Sequence, residues 1–256
     1  MLETYQIERL KLMKEILSYV GDNFILKGGT ALKFYYGLDR YSEYLDFDTL
    51  GNGMDIKKAL MKHKDYPKWT IHDKKFTDVS TRLTIDYGAT TELRNYPLKI
   101  DINGRDKAKL RNGFLKYSKK DGVNVYDIET IAQMKRQAFL SRNKIRDFYD
   151  IGFLLDKYPQ CFDFQNLIDI ENKIQYVGID ELNLLLIDEI ETHKLMIERD
   201  KEIVCDYAER ILERIDEIQN NKSIHSAQEQ TPNDKPRTDF AGFEFTNTSG
   251  MDKIRD

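Results

Sequence analysis

Cysteine is scarce in this 256-residue chain: the two present, Cys161 and Cys205, lie far apart and form no cluster. That excludes a disulfide framework and leaves buried or free thiols. The four histidines, His63, His72, His193 and His225, are scattered without H-x-x-x-H or His/Cys spacing, so a zinc site has no ligand set. No apolar run approaches the roughly 20 residues of a membrane span. The opening MLETYQIERLKLMKEIL has the pattern of an amphipathic helix and lacks a signal-peptide core, so a cytoplasmic protein with no membrane partner is expected. Neither G-x-x-x-x-G-K-[ST] nor G-x-S-x-G occurs, which removes the P-loop and the nucleophile elbow. No Ser-His-Asp arrangement is legible, and there is no internal repeat.

What is present is a mixture rich enough to fold, with 40% apolar and 33% charged residues. The length suits one large domain or two ordinary ones. A net charge of −4 hides a split: residues 1–150 hold 28 Lys and Arg against 21 Asp and Glu, whereas 151–220 hold 7 against 17. A basic front half suits a phosphate-bearing substrate; the same asymmetry also serves two halves that dock.

Hydrophobic spacing predicts a helix over 2–20 with Ile7, Leu10, Met13, Ile16, Leu17 and Val20 on one stripe. Phe24-Ile25-Leu26 reads as a short strand ending at Gly28-Gly29, and Thr30 to Tyr36 as about two helical turns stopped by Gly37. Residues 44–50 alternate as a strand. Asp55 is expected to cap a lysine-rich helix that ends before Pro67. Strands are predicted near 68–76, 79–87 and 96–103, and GRDKAKLRNGFLKYSKK as a basic loop. From Asp127 the period becomes helical: one helix or a kinked pair over 128–158, then helices near 163–175, 179–192 and 195–220. In the last, Val204, Tyr207, Ile211, Ile215 and Ile218 make a bundle seam. The expected fold class is α/β (α+β), a mixed sheet flanked by helices over 1–124, followed by a helical bundle over 125–220. A polar tail over 221–256 is expected to be disordered, with Phe240, Phe243 and Phe245 the only hint of a docking motif.

The chemistry concentrates in KGGTALKFYYGLDRYSEYLDFDTL. Side chains alternate along a strand, so Tyr44, Asp46 and Asp48 share one side while Leu45 and Phe47 share the other. Two like charges on one strand face call for a cation, and Mg²⁺ (or Mn²⁺) bound by carboxylate oxygens is one answer; a solvated strand face is the other. In YPLKIDIN, Lys99 and Asp101 share the polar face. If that strand neighbours the first, Asp46, Asp48 and Asp101 form a three-acid, two-metal template for in-line attack on phosphorus, with Asp86 as a competing third acid. A strand, the Gly28-Gly29 turn and a helix start at Thr30 together present backbone N–H groups to phosphate oxygens. Lys135, Arg142 and Arg146, seven and four residues apart, would share a stripe on a continuous helix, with Asp150 nearby. Tyr35-Tyr36 and Trp69 suit either base stacking or core packing.

LKGGTALKFYYGLDRYSEYLDFD, LKID and KRQAFLSRNKIRDFYDI together resemble the AbiEii/AbiGii family of nucleotidyltransferase toxins, a branch of the polymerase-β-like nucleotidyltransferases. Gly28, Gly29, Thr30, Ala31, Leu32, Arg40, Ser42 and Asp46 match its opening motif. The resemblance implies transfer of a nucleoside monophosphate from an NTP to an acceptor hydroxyl, with an RNA such as tRNA as acceptor and an antitoxin as partner. It implies metal ligation by Asp46, Asp48 and Asp101 and catalytic support from Lys99 and Lys135. Phosphate or nucleotide contacts would come from Gly28, Gly29, Thr30, Arg40, Ser42, Lys135, Arg142 and Arg146. Asp147 or Asp150 would hold the helix to the sheet or assist the chemistry. The chain departs from the motif at Tyr44, where the family usually has its first aspartate. Either the metal pair has moved two residues along the strand, about 7 Å, or one ligand is lost. A catalytically degenerate nucleotide- or RNA-binding module therefore stands as the alternative to an enzyme, with a small-molecule nucleotidyltransferase third.

Overall fold

In the computed structural model, which describes residues 2–88, 96–192 and 204–229, seven strands form one mixed sheet. They are β1 (Phe24–Lys27), β2 (Tyr44–Thr49), β3 (Thr70–Thr77), β4 (Ser80–Asp86), β5 (Leu98–Asn103), β6 (Tyr117–Lys120) and β7 (Val123–Tyr126), in the order β3-β4-β5-β2-β1-β7-β6. β2 runs parallel to β5, and β1 parallel to β7; the remaining neighbours are antiparallel. The period-two pattern explains which way each strand faces. Leu45 and Phe47 of β2, and Leu98, Ile100 and Ile102 of β5, are buried, which turns Tyr44, Asp46, Lys99 and Asp101 to the opposite side.

The helices described are α1 (Thr4–Leu17), α2 (Gly28–Tyr35), α3 (Asp55–Leu60), α4 (Lys107–Arg111), α5 (Ile128–Ser141), α6 (Ile145–Lys157), α7 (Phe164–Val177), α8 (Ile179–Thr192) and α9 (Tyr207–Glu229). Met1–Asn220 cluster as one unit and Asn221–Asp256 as another. Residues 221–229 are helical, which corrects the disorder expected for them, and the rest of the expected tail, with Phe240, Phe243 and Phe245, lies outside the described residues. The first part of the helix expected over 195–220 also lies outside them.

Several expectations are corrected. In α1 the buried face is Gln6, Arg9, Leu12, Met13, Ile16 and Leu17, while Ile7 is 52% exposed. The stripe is displaced because Arg9 reaches inward to the Tyr96 carbonyl and the Tyr87 hydroxyl, a polar anchor that apolar periodicity does not register. Asp55 is the first helical residue of α3, not its cap, and binds Lys58 one turn on. The basic loop holds a short helix, α4, and an edge strand, β6. A turn with left-handed Asp121 and Gly122 (φ +47° and +84°) joins β6 to β7, and that Asp-Gly pair was the available signal. Of the two readings of 128–158, one helix or a kinked pair, the pair holds, because Arg142 adopts an extended conformation (φ −149°) and ends α5.

α6 is buried along most of its length, from Asp147 to Leu155. The predicted seam is buried, with Val204 just ahead of α9 and Tyr207, Ile211, Ile215 and Ile218 on it, and Tyr207 and Ile211 reach α6. Tyr207 stacks on Tyr149 with ring centroids 5.2 Å apart and donates its hydroxyl to the Tyr149 carbonyl at 3.0 Å. Gly152 permits this approach, since a Cβ there would fall 2.2 Å from the Tyr207 hydroxyl oxygen. Gly152→Ala is expected to destabilise the fold by about 1–3 kcal/mol through overpacking, seen as a lower urea midpoint at unchanged m-value. An unchanged midpoint would show that the α6–α9 contact does not constrain the fold.

Candidate active site

Gly28 closes β1 and opens α2 with φ +74°, a conformation that suits glycine. Its Cα faces the Asp46 carboxylate closely: a Cβ would sit 3.1 Å from Oδ2. A Cβ on Gly29 would sit 2.7 Å from the Arg40 guanidinium and 3.1 Å from the Ser42 hydroxyl. The glycines therefore bring the start of α2 against the acidic strand and the loop before it. Thr30 is buried and bonds the Ser42 hydroxyl (2.8 Å) and the Tyr44 carbonyl. Its side-chain hydroxyl thus holds the loop, which leaves the backbone N–H for the expected phosphate contact.

β2 and β5 are in parallel register, with Tyr44 opposite Lys99 and Asp46 opposite Asp101. The two acids thus come together from two strands, as the alternation anticipated. Lys99 lies over the Tyr44 ring, its Nζ 4.8 Å from the centroid, a cation–π contact where the motif leads one to expect a carboxylate. Arg82, opposite Asp101 on β4, binds that carboxylate through its guanidinium. Asp48 does not join them. It is fully buried, accepting the Lys27 ammonium at 2.5 Å and the Tyr126 hydroxyl at 2.7 Å. Both oxygens face β1 and β7, so Asp48 serves the sheet. Asp86, the competing acid, bonds the Gly88 N–H at the end of β4.

The third part comes from α5 and α6. Asp150 is buried and accepts a two-pronged bond from Arg40, Nε to Oδ1 at 2.6 Å and Nη2 to Oδ2 at 2.7 Å. The Lys135 ammonium reaches the same carboxylate at 2.5 Å and Asp147 at 3.1 Å. Arg142 binds the other oxygen of Asp147 at 2.7 Å. The result is a ladder of alternating charge, Arg40–Asp150–Lys135–Asp147–Arg142. Arg146 bridges Glu43, at 2.5 Å, and Glu189 of α8. The helical stripe does not exist as such, yet Lys135, Arg142 and Arg146 still line one cleft, because the break after Ser141 redirects the chain.

That cleft encloses about 670 Å³, within the usual range for a small-molecule site. Its walls include Gly29, Ser42, Tyr44, Asp46, Lys99 and Asp101. Three of its cations, Lys74, Lys99 and Lys144, have no carboxylate partner among the described residues. Tyr36 and Trp69 are packing residues: Tyr36 bonds the Tyr126 carbonyl and Trp69 lies against His63. Sequence reasoning missed Lys27, Glu43, Lys74, Arg82, Tyr126 and Glu189. Of these, only Arg82 carried a signal, sharing the polar face of its strand with Thr84.

Electrostatics divide the acids. Burial pushes the Asp46 carboxyl up, the neighbouring Asp101 adds to it, and Lys27 and Lys135 offset only part, leaving it above the ordinary range. Burial also pushes Asp150 up, but Arg40 and Lys135 outweigh it and hold it below that range. The chemistry of Asp46 and Asp101, two carboxylates side by side on neighbouring strands, suits oxygen ligation of a hard cation. Arg82 on Asp101 already stands where a positive charge is demanded. Among the described residues no group of three or more His, Cys, Asp or Glu could hold a metal ion. The donor set fits one such ion rather than the two expected from three acids.

The mixed sheet is that of nucleotidyltransferase folds. A solved candidate nucleotidyltransferase from Helicobacter pylori superposes with a TM-score of 0.70 at 24% identity, covering 88% of this chain and 99% of that one. The structure of JHP933 from the same organism gives 0.66 at 26% identity, covering 89% and 100%. Residues 11–243 match the family of nucleotidyl transferase AbiEii toxins of type IV toxin–antitoxin systems, and the chain belongs to that family. Among curated proteins nothing matches. No helix among the described residues is long and apolar enough to cross a membrane.

A carboxyl whose folded pKa is raised above the unfolded value of about 3.9 destabilises the fold at pH 7, and the cost disappears as pH falls below that unfolded value. Asp46→Asn is therefore expected to raise the urea midpoint at neutral pH and to match the parent at acidic pH. Equal midpoints at pH 7 would contradict the assignment.

Proposed function

We propose that the cleft transfers a nucleoside monophosphate from an NTP to an RNA hydroxyl, as the toxin of a cytoplasmic toxin–antitoxin pair. The observation that carries this reading is the side-by-side placement of Asp46 and Asp101 opposite a wall of cations. Asp46 and Asp101 would hold Mg²⁺ or Mn²⁺, which when bound neutralises triphosphate charge and favours the leaving pyrophosphate. Backbone N–H groups at the start of α2, where Gly28 lies against Asp46, can receive phosphate oxygens. Lys99 and Arg142 take up charge that develops on the phosphates, and Lys135, held by Asp147 and Asp150 on the cleft wall, adds its field. Asp101 accepts the proton of the attacking hydroxyl as its oxygen bonds to the α-phosphorus and the bond to the β-phosphate breaks. Lys74, Arg82 and Lys144 extend the positive surface outward, where an RNA backbone would bind in a salt-dependent way. Asp48 is retained as a structural acid, and Arg40, Asp150 and Arg146 as positioning residues.

A second reading follows from Tyr44: with an aromatic ring beneath Lys99 and no group of three acids together among the described residues, the chain would bind nucleotide or RNA without turnover. A cationic small-molecule acceptor finds less support, since Glu43 and Asp147, acids of the cleft wall, are already matched by arginines.

Incubation with each labelled NTP, Mg²⁺ or Mn²⁺ and bulk RNA separates these readings. Label should enter RNA, fall by about 10²-fold or more with Asp46→Ala, and persist with Asp48→Asn in a less stable protein. Failure of every nucleotide to transfer supports the binding module; transfer that survives Asp46→Ala overturns the site.

A further inference from the structure

We propose that Asp147 is a built-in occupant of the phosphate seat, and that Arg142 exchanges its carboxylate for a substrate phosphate when nucleotide binds. The inference rests on the reading that this cleft takes an NTP. Asp147 lies in the first turn of α6 and presents two carboxylate oxygens to two cations, Lys135 at 3.1 Å and Arg142 at 2.7 Å, as a phosphate would. Three other cations of the cleft are held more firmly. Arg40 is buried and carries both oxygens of Asp150 plus the Tyr41 carbonyl. Lys135 is buried between two acids, and Arg146 is held by Glu43 and Glu189.

Arg142 differs on each count. Its side chain is 50% exposed, Asp147 is its one carboxylate partner among the described residues, and it sits on the short connection between α5 and α6. A guanidinium on such a connection can turn toward the cleft without unwinding either helix. Asp147 is not orphaned by the exchange, because the Lys135 contact remains and the helix N-terminus favours a carboxylate there. Arg142 then meets the triphosphate with its two-pronged donor geometry intact. Asp147 is thus a positioning residue that sets nucleotide affinity: it keeps Arg142 in place in the resting cleft and competes with the ligand for it.

Calorimetric titration of the full chain with each common NTP and Mg²⁺ tests this, with thermal unfolding to confirm that each variant is folded. Asp147→Asn keeps the shape and removes the competing charge, so the Kd should fall by about fivefold, the scale of one partly exposed ion pair. Arg142→Gln should raise the Kd by a similar factor, and the double variant should bind like Arg142→Gln alone. An unchanged or weaker Kd in folded Asp147→Asn overturns the exchange. So does an unchanged Kd in Arg142→Gln, which alone decides the matter if Asp147→Asn does not fold. If the parent protein binds none of the NTPs, the functional reading fails and the exchange with it; if the parent binds and neither variant shifts the Kd, only the exchange fails.

Discussion

One buried carboxylate holds the cleft together. Asp150 on α6 takes three charged hydrogen bonds, two from Arg40 in the loop ahead of β2 and one from Lys135 on α5. These groups are far apart in sequence and belong to the sheet side and the helix side of the molecule. Removing one partner from a buried ion pair costs about 3–5 kcal/mol, because the remaining charge is stranded away from water. The same carboxylate therefore fixes where the loop carrying Ser42 and Glu43 lies, and the height at which Lys135 faces the acids. Its lowered pKa follows: burial pushes the carboxyl up, and the two cations more than offset it.

Around this clamp the acids separate into two kinds. Asp48 and Asp150 are saturated with donors and hold strands and helices in place. Asp46 and Asp101 are the pair left facing a cavity, with Asp46 kept above its ordinary pKa by burial beside another acid. A protein that only needed a stable fold would gain nothing from that arrangement. Carboxyl groups that cost stability in a cleft are a mark of function, and membership of the AbiEii toxin family gives that mark a direction. The cations show the same division: Arg40, Lys135 and Arg146 are fully engaged, whereas Lys74, Lys99, Lys144 and Arg142 can still meet a ligand.

The sheet was largely legible in the sequence because period-two alternation in YLDFDT and LKIDIN names both the buried and the polar face of each strand. Adjacency of those strands was an inference that the parallel register of Asp46 with Asp101 supports. What alternation could not supply was which polar residue meets which. Asp46 and Asp48 have the same parity, but Lys27 and Tyr126 arrive from β1 and β7 and remove Asp48 from the cleft. Over 128–158 one helix and a kinked pair both stayed open, because apolar positions persist through the segment. Arg142 breaks it by backbone conformation, and the break, not periodicity, brings Arg142 and Arg146 to the cleft beside Lys135. The β6–β7 hairpin escaped notice because Tyr117–Lys120 is a short, polar edge strand, for which burial gives no pattern.

The central claim is that Asp150 couples the loop before β2 to the α5–α6 pair. Amide hydrogen exchange on Asp150→Asn measures it most directly. The account predicts faster exchange at residues 38–43 and in the first turn of α6 together, with the α9 seam around Ile211 and Ile215 unchanged. Loss of protection at only one of those two places, or at neither, would contradict it.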